Sequence, residues 1–186
     1  MLVLQAEYVN NAQMRSIFQD MENRIRSMAL VHQHLYQGES LSRIDLYDYV
    51  RRLTHLLVES YAVQSGHISL CFDLEHVSVL IDTAIPCGLI LNELISNALK
   101  HAFPGEQHGE IRIQLHRMES GDIDLQVADN GVGVPQDFDI RNTQSFGLQS
   151  LLLLGELQLQ GEVTFDLNKG IACRVRFHDT FYEERV

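Results

Sequence analysis

The sequence predicts an α+β fold, a two-layer sandwich with helices on one face of a mixed sheet, preceded by a partial helical hairpin. Three observations lead there. Apolar residues in the first 36 positions recur at alternating spacings of four and three, whereas several later segments alternate at a period of two between stretches of helical periodicity. The 186 residues are 45% hydrophobic and 21% charged, which suffices for one globular core with some appended structure. The division expected is 1–37 for the hairpin and 38–186 for the sandwich.

Met14, Phe18, Met21, Ile25, Met28, His32 and Leu35 form the heptad seam of a packed helix between Ala12 and Tyr36. Asp20 with Arg24 and Glu22 with Arg26 supply i,i+4 pairs on its outer side. The preceding LVLQAEYVNN reads as the end of another helix followed by a turn, so the hairpin is expected to be cut short. After QGES, a helix from about Asp45 to Tyr61 places Leu46, Val50, Leu53, Leu57 and Tyr61 on one face, with Asp45 as N-cap. HISLCFDL and VSVLID are strand-like, and Asp82 or Thr83 is expected to cap a helix that Pro86 opens. EIRIQLHRM and DIDLQVAD alternate as strands, SFGLQSLLLL begins a further helix, and EVTFDL with IACRVRF flank NKG as a closing hairpin.

The net charge of −11, from 14 Lys plus Arg against 25 Asp plus Glu, provides no broad positive field for a nucleic-acid backbone. Cys71, Cys87 and Cys173 are far apart and lack C-x-x-C spacing, so they read as buried thiols in a reducing compartment. No apolar run approaches the roughly 18–20 residues that span a bilayer, which makes a cytoplasmic chain the expectation.

Three features carry chemistry. In LNELISNALKHAFP, residues 91–104, a helical projection groups Glu93, Ser96, Asn97, Lys100 and His101 opposite Leu91, Leu94, Ile95, Ala98, Leu99 and Ala102. Solvation of an amphipathic helix explains such a stripe, and so does a carboxylate and an amide one turn apart around a hydrated Mg²⁺ ion. In VADNGVGVP, Asp129 ends a strand and Gly131 and Gly133 follow; Asn-Gly suggests a hairpin turn, but VGVPQDFDI contains Pro135 and does not alternate as a partner strand. In NTQSFGLQS, Ser145 precedes a helix whose first turn holds Gly147, an environment of unpaired N–H groups that suits phosphate.

In this order the polar helix, the D-x-G-x-G turn and the glycine-led helix resemble the N, G1 and G2 boxes of the Bergerat ATP-binding fold. NRIRSMALVHQHLYQ, DTAIPCGLILNELISNALKHAFPG, DNGVG and FGLQ further resemble the type 2 histidine kinases related to the HWE kinases. The resemblance implies a dimerisation hairpin followed by an ATP-binding catalytic domain of a two-component sensor kinase. It implies that Asn97 ligates Mg²⁺ and that Glu93 orients the metal or its waters or acts as a base. Lys100 and His101 would approach the phosphates or ribose, and Asp129 would accept from the exocyclic amine of adenine. Gly131 and Gly133 would let the base and a lid at about residues 134–145 close, and Gly147 and Leu148 would lie under the triphosphate. Implied partners are ATP, an H-box helix of the same or a partner kinase chain, a response regulator receiver domain and a second copy in the full-length dimer.

The chain departs from the family's pattern twice. No H box is present, so the phosphorylated histidine is expected on a helix upstream of Leu2, in a protein that regions outside this chain could anchor to a membrane. His32 and His34 do not replace it, since His32 lies on an apolar seam where packing is the ordinary role. The family's Gly-Thr before the last strand is Gly170–Ile171 here, which removes a hydroxyl beside the expected adenine site. These departures keep a non-catalytic phosphotransfer or dimerisation module as an alternative, and a serine kinase or ATP hydrolase of the same superfamily as a third.

Overall fold

Asp45 ends one element and starts the next. Its extended backbone closes β1 (Arg43–Asp45), and its Oδ1 accepts from the Tyr47 N–H at 2.9 Å, capping α1 (Leu46–Ser60) as the sequence predicts. In the computed structural model the described residues are 43–61, 67–105, 107–135, 138–141 and 145–179, with 18, 21, 22, 25 and 29. Of the predicted hairpin, only Phe18, Met21, Glu22, Ile25 and Ala29 fall among them; these are helical, with Met21 and Ile25 exposed. The remainder of that hairpin and the division at residue 37 lie outside the described residues.

The next elements are β2 (Ile68–Leu74), β3 (Ser78–Leu80) and α2 (Ile81–Asn97), which runs on through a wider π-type turn at Ala98–Ala102. Then follow β4 (Gly109–Arg117), β5 (Ile123–Asp129), α3 (Phe146–Leu152) with a second π-type turn at Leu153–Gln158, β6 (Glu162–Asp166) and β7 (Ala172–Phe177). The main sheet has the order β2-β4-β5-β7-β6, with β2 and β4 parallel and every other pair antiparallel. The parallel pair requires a long crossover, which the β3–α2 segment supplies.

Register explains the core. Ile113 faces Val127, which faces Cys173, and Leu115 faces Leu125, which faces Val175. All six point to the same side and are buried, as period-two strands with one covered face require. Against them lie Ile90, Leu91, Leu94 and Ile95 of α2, and Leu46, Tyr49, Val50 and Leu53 of α1 pack into the same core beside that helix. The crossing of α1 and α2 depends on Gly88, where a Cβ would stand 1.8 Å from the Tyr49 Oη.

Three expectations are corrected. Of Val77–Asp82 only Ser78–Leu80 is strand, and it pairs with β1 in a separate two-stranded sheet. The helix expected to open at Pro86 starts at Ile81, with Leu80 in the cap position and no side-chain cap bond. Thr83 instead donates its hydroxyl to Asp179 beyond β7 at 3.0 Å. Proline inside a helix loses one N–H bond; here burial of Ala84, Cys87, Ile90 and Leu91 against the core holds the turn that propensity alone would break. Cys87 and Cys173 are buried free thiols as expected, but Cys71 is only half-buried. Among the described residues no helix is long and apolar enough to cross a membrane.

Candidate functional site

The site begins with one side-chain bond on α2. Asn97 Nδ2 donates to Glu93 Oε1 at 3.0 Å, one turn back along the helix. A carboxylate only accepts, so this contact takes the amide nitrogen and turns Asn97 Oδ1 outward as an oriented acceptor. Asn97 shares its face with Leu94, Ala98, His101 and Ala102, and these five form one wall of a cavity of about 280 Å³. The polar stripe read from the sequence is therefore only half right. Leu94, Ala98 and Ala102 stand on the cavity side, while Ser96 is buried and donates back to the Glu93 C=O at 3.2 Å. The π-type turn after Asn97 displaces the residues that follow from the 100° projection. Lys100 accordingly does not line the cavity: its ammonium lies 5.5 Å from the centre of the Tyr61 ring.

The facing wall is built at the end of β5. Asp129 N–H donates to Ile171 C=O at 2.9 Å, the last rung joining β5 to the approach of β7. One carboxylate oxygen, Oδ1, accepts from Gly131 N–H at 2.9 Å, and the half-buried carboxylate lines the cavity. Burial pushes the Asp129 carboxyl above the ordinary carboxylate range, against the lowering effect of the backbone N–H groups. The turn is docked on the helix, since Val132 N–H donates to Ala102 C=O at 2.9 Å. At Gly131 a Cβ would meet that carbonyl oxygen at 2.2 Å, so only glycine fits. Asn130 does not start a hairpin: its Oδ1 accepts from Glu110 N–H at 2.7 Å, and residues 131–135 carry no strand.

Val127, Phe165 and Ile171 complete the apolar side of the cavity, and Gly133, Val134, Phe138, Ile140, Ser145 and Leu148 close it from the segment leading into α3. Of the residues predicted from sequence, Asn97, His101, Asp129, Gly133 and Leu148 converge on this cavity. Glu93 and Gly147 line a second one of about 290 Å³ with Leu89 and Leu151. There the Glu93 carboxylate packs against Gly147, where a Cβ would lie 1.6 Å from its Oε1. Glu93 reaches the first cavity through Asn97. Ser145 holds the cap position of α3 without a side-chain cap bond.

Sequence reasoning missed Leu94, Ala98, Ala102, Val127 and Phe165 as site residues, and it included Phe138 and Ile140 only within the lid expected at about residues 134–145. Their only signal was apolarity, which they share with the core. The arrangement can take a flat, largely apolar group against Val127, Phe165 and Ile171, read a donor at Asp129, and hold a charged group near Asn97 and His101. Among the described residues no three or more His, Cys, Asp or Glu side chains gather to hold a metal. An oriented amide oxygen with room for water and phosphate oxygens nevertheless suits Mg²⁺, which keeps several waters and uses few protein ligands.

Two family models match the chain. One, described as "Histidine kinase", covers residues 1–61; the other, "Histidine kinase-, DNA gyrase B-, and HSP90-like ATPase", covers residues 83–180. The sensor histidine kinase PdtaS of Mycobacterium tuberculosis is 29% identical over 165 residues, 88% of this chain and 32% of that protein. The blue-light-activated histidine kinase 2 of Erythrobacter litoralis is 26% identical over 136 residues, 71% of this chain and 39% of that protein. The chain thus spans about a third of the length of these relatives. Among solved structures, the histidine kinase domain of the Erythrobacter litoralis EL346 blue-light-activated kinase superposes with a TM-score of 0.76 at 21% identity, covering 95% of this chain and 89% of that one.

Proposed function

The chain belongs to the histidine kinase-, DNA gyrase B- and HSP90-like ATPases and carries the catalytic region of a sensor histidine kinase; from that premise we propose that it binds Mg²⁺-ATP in the α2–β5 cavity and supplies the γ-phosphoryl group to a histidine outside this chain. The observation that carries this reading is the convergence of Asn97, His101 and Asp129 on a single cavity of about 280 Å³.

Phosphoryl transfer to an imidazole requires little covalent chemistry from the enzyme; it requires positioning and neutralisation of charge. The Asp129 carboxylate accepts a hydrogen bond from the exocyclic amine of adenine, Ile171 and Phe165 cover the base, and His101 lies toward the ribose and phosphates. Asn97 Oδ1 would hold the metal, and Glu93 fixes the rotamer of Asn97 through its 3.0 Å bond. Bound Mg²⁺ would supply charge neutralisation between the phosphate oxygens. The acceptor imidazole, on an H-box helix of the same or a partner kinase chain, is the nucleophile; a response regulator receiver domain then takes the phosphoryl group, and the full-length protein is a homodimer. Lys100 is a phosphate ligand in this scheme only if it leaves Tyr61.

Asp129→Asn tests the base contact. Loss of a charge-assisted bond costs about 1.5–3 kcal/mol, roughly ten- to a hundredfold in ATP affinity by calorimetry; an unchanged affinity removes the assignment. Label transfer from γ-³²P-ATP to a separate H-box hairpin tests the reaction. Ile171, which offers no hydroxyl beside Asp129, favours the second reading, a module that retains the fold without turnover. ATP binding with no label on a docked hairpin would establish that alternative.

A further inference from the structure

His67 directly precedes β2 and His108 directly precedes β4. These strands are parallel, with Ile68 opposite Gly109, and Gly109 N–H donates to His67 C=O at 2.7 Å. The register therefore sets the two imidazoles side by side at the same end of the pair. Their rings lie 4.6 Å apart between centroids at an interplanar angle of 58°, and His67 Nδ1 stands 3.3 Å from His108 Nε2. His108 is exposed and His67 half-exposed, and neither lines either cavity.

Two imidazole nitrogens at about 2.0–2.1 Å from one tetrahedral ion stand roughly 3.3–3.4 Å apart. The observed separation already has that value. We propose that His67 and His108 form a two-histidine surface site for a borderline divalent transition ion such as Zn²⁺, with water in the remaining positions. Imidazole selects Zn²⁺, Cu²⁺ and Ni²⁺, whereas Mg²⁺ prefers oxygen, so this site is chemically distinct from the nucleotide's metal. Because the residues are 41 positions apart, a bridging ion also closes a long loop and ties β2 to β4. No third His, Cys, Asp or Glu joins them among the described residues, so the site is open and its affinity modest.

An ion is not needed to explain the contact, since a neutral imidazole N–H can donate to its neighbour's bare nitrogen. The whole 186-residue chain titrated with ZnCl₂ in buffer containing Mg²⁺ separates the two. The expected result is one equivalent bound in the micromolar range, a rise in Tm, and shifts of both imidazoles in ¹⁵N NMR spectra. His67→Ala and His108→Ala should each weaken binding at least tenfold and abolish the Tm rise, while His178→Ala, which removes a histidine paired with Asp122, leaves both unchanged. Conservative His67→Gln and His108→Gln variants guard against misfolding, and circular dichroism without metal verifies the fold. Absence of binding at millimolar Zn²⁺, or undiminished affinity in the doubly substituted chain, overturns the proposal.

Discussion

Asp129 is placed where its two obligations conflict. Its burial raises the carboxyl above the ordinary value of about 3.9, so the ionised form costs the fold something that the protonated form does not. A raised folded value means that the group's favourable contribution is complete below the unfolded value and is lost as pH rises through the folded one. Asp129→Asn should therefore leave Tm unchanged or higher near neutrality, with the gain over wild type disappearing toward pH 4, even as ATP affinity collapses; thermal melts of the two proteins across that range test it. Gly170 supports the same carboxylate from behind. Its φ of +75° suits glycine, and a Cβ there would lie 2.0 Å from the Asp129 backbone oxygen and 2.8 Å from its Oδ1. Gly105 has a similar φ of +71°, with nothing within 4 Å of where a methyl group would stand. Gly105→Ala should cost only the left-handed strain, about 1–2 kcal/mol, and leave nucleotide affinity intact. Gly170→Ala should cost more and lower ATP affinity at least tenfold. Equal effects of the two on ATP binding would show that Gly170 does not act through Asp129.

At the scale of elements, the start of α1 depends on a shared carboxylate. Asp45 gives Oδ1 to the Tyr47 N–H and Oδ2 to His76 Nδ1 at 2.6 Å, and the His76 ring stacks on Tyr47 with centroids 4.3 Å apart. The hydrogen bond to Asp45, and then its charge, raise the His76 imidazole above its usual value. His76 thus adds stability that is fully present below the unfolded imidazole value of about 6.5 and is lost as pH rises through the higher folded one. NMR titration should find His76 protonated at a pH where an ordinary histidine is neutral, and Asp45→Ala should remove the shift while costing about 1 kcal/mol as a lost cap. The cap and α1 were legible in the sequence because Asp45 precedes a helical period; so were β2, β4, β5 and the β6–β7 hairpin, whose alternation each segment states locally. The start of α2, the β1–β3 pair and the two π-type turns were not. The strand pair and the helix start depend on distant partners: Arg43 opposite Leu80, and core burial that carries Pro86 inside the helix. Sorting residues 91–104 by polarity put Asn97 and His101 on the face that meets the cavity but set Leu94 and Ala98 opposite, because apolar side chains line this cavity as well as the core.

At the scale of the molecule, the cavity proposed for the nucleotide and the core around it are built, among the described residues, within 43–179. Among the described residues the buried apolar ones run from Ile44 to Phe177, and α1 completes the helical layer by packing on α2 through Tyr49 and Gly88. The residues assigned to ATP lie on α2 and its π-type turn, at the end of β5, on β6 and on the segments leading into α3 and β7. Phosphoryl transfer as proposed, by contrast, needs an acceptor helix brought to the γ-phosphate, a demand distinct from those that the core meets. Binding and transfer are therefore separable. A chain of residues 41–186 should unfold cooperatively and bind Mg²⁺-ATP within about threefold of the 186-residue protein, a difference under 1 kcal/mol, yet label an added H-box hairpin less efficiently than the longer chain does. Calorimetry and ³²P transfer measured on the same preparations decide it. A large loss of ATP affinity in the shorter chain would mean that residues 1–40 help build the cavity, and equal labelling by both would mean that those residues contribute nothing to docking the acceptor.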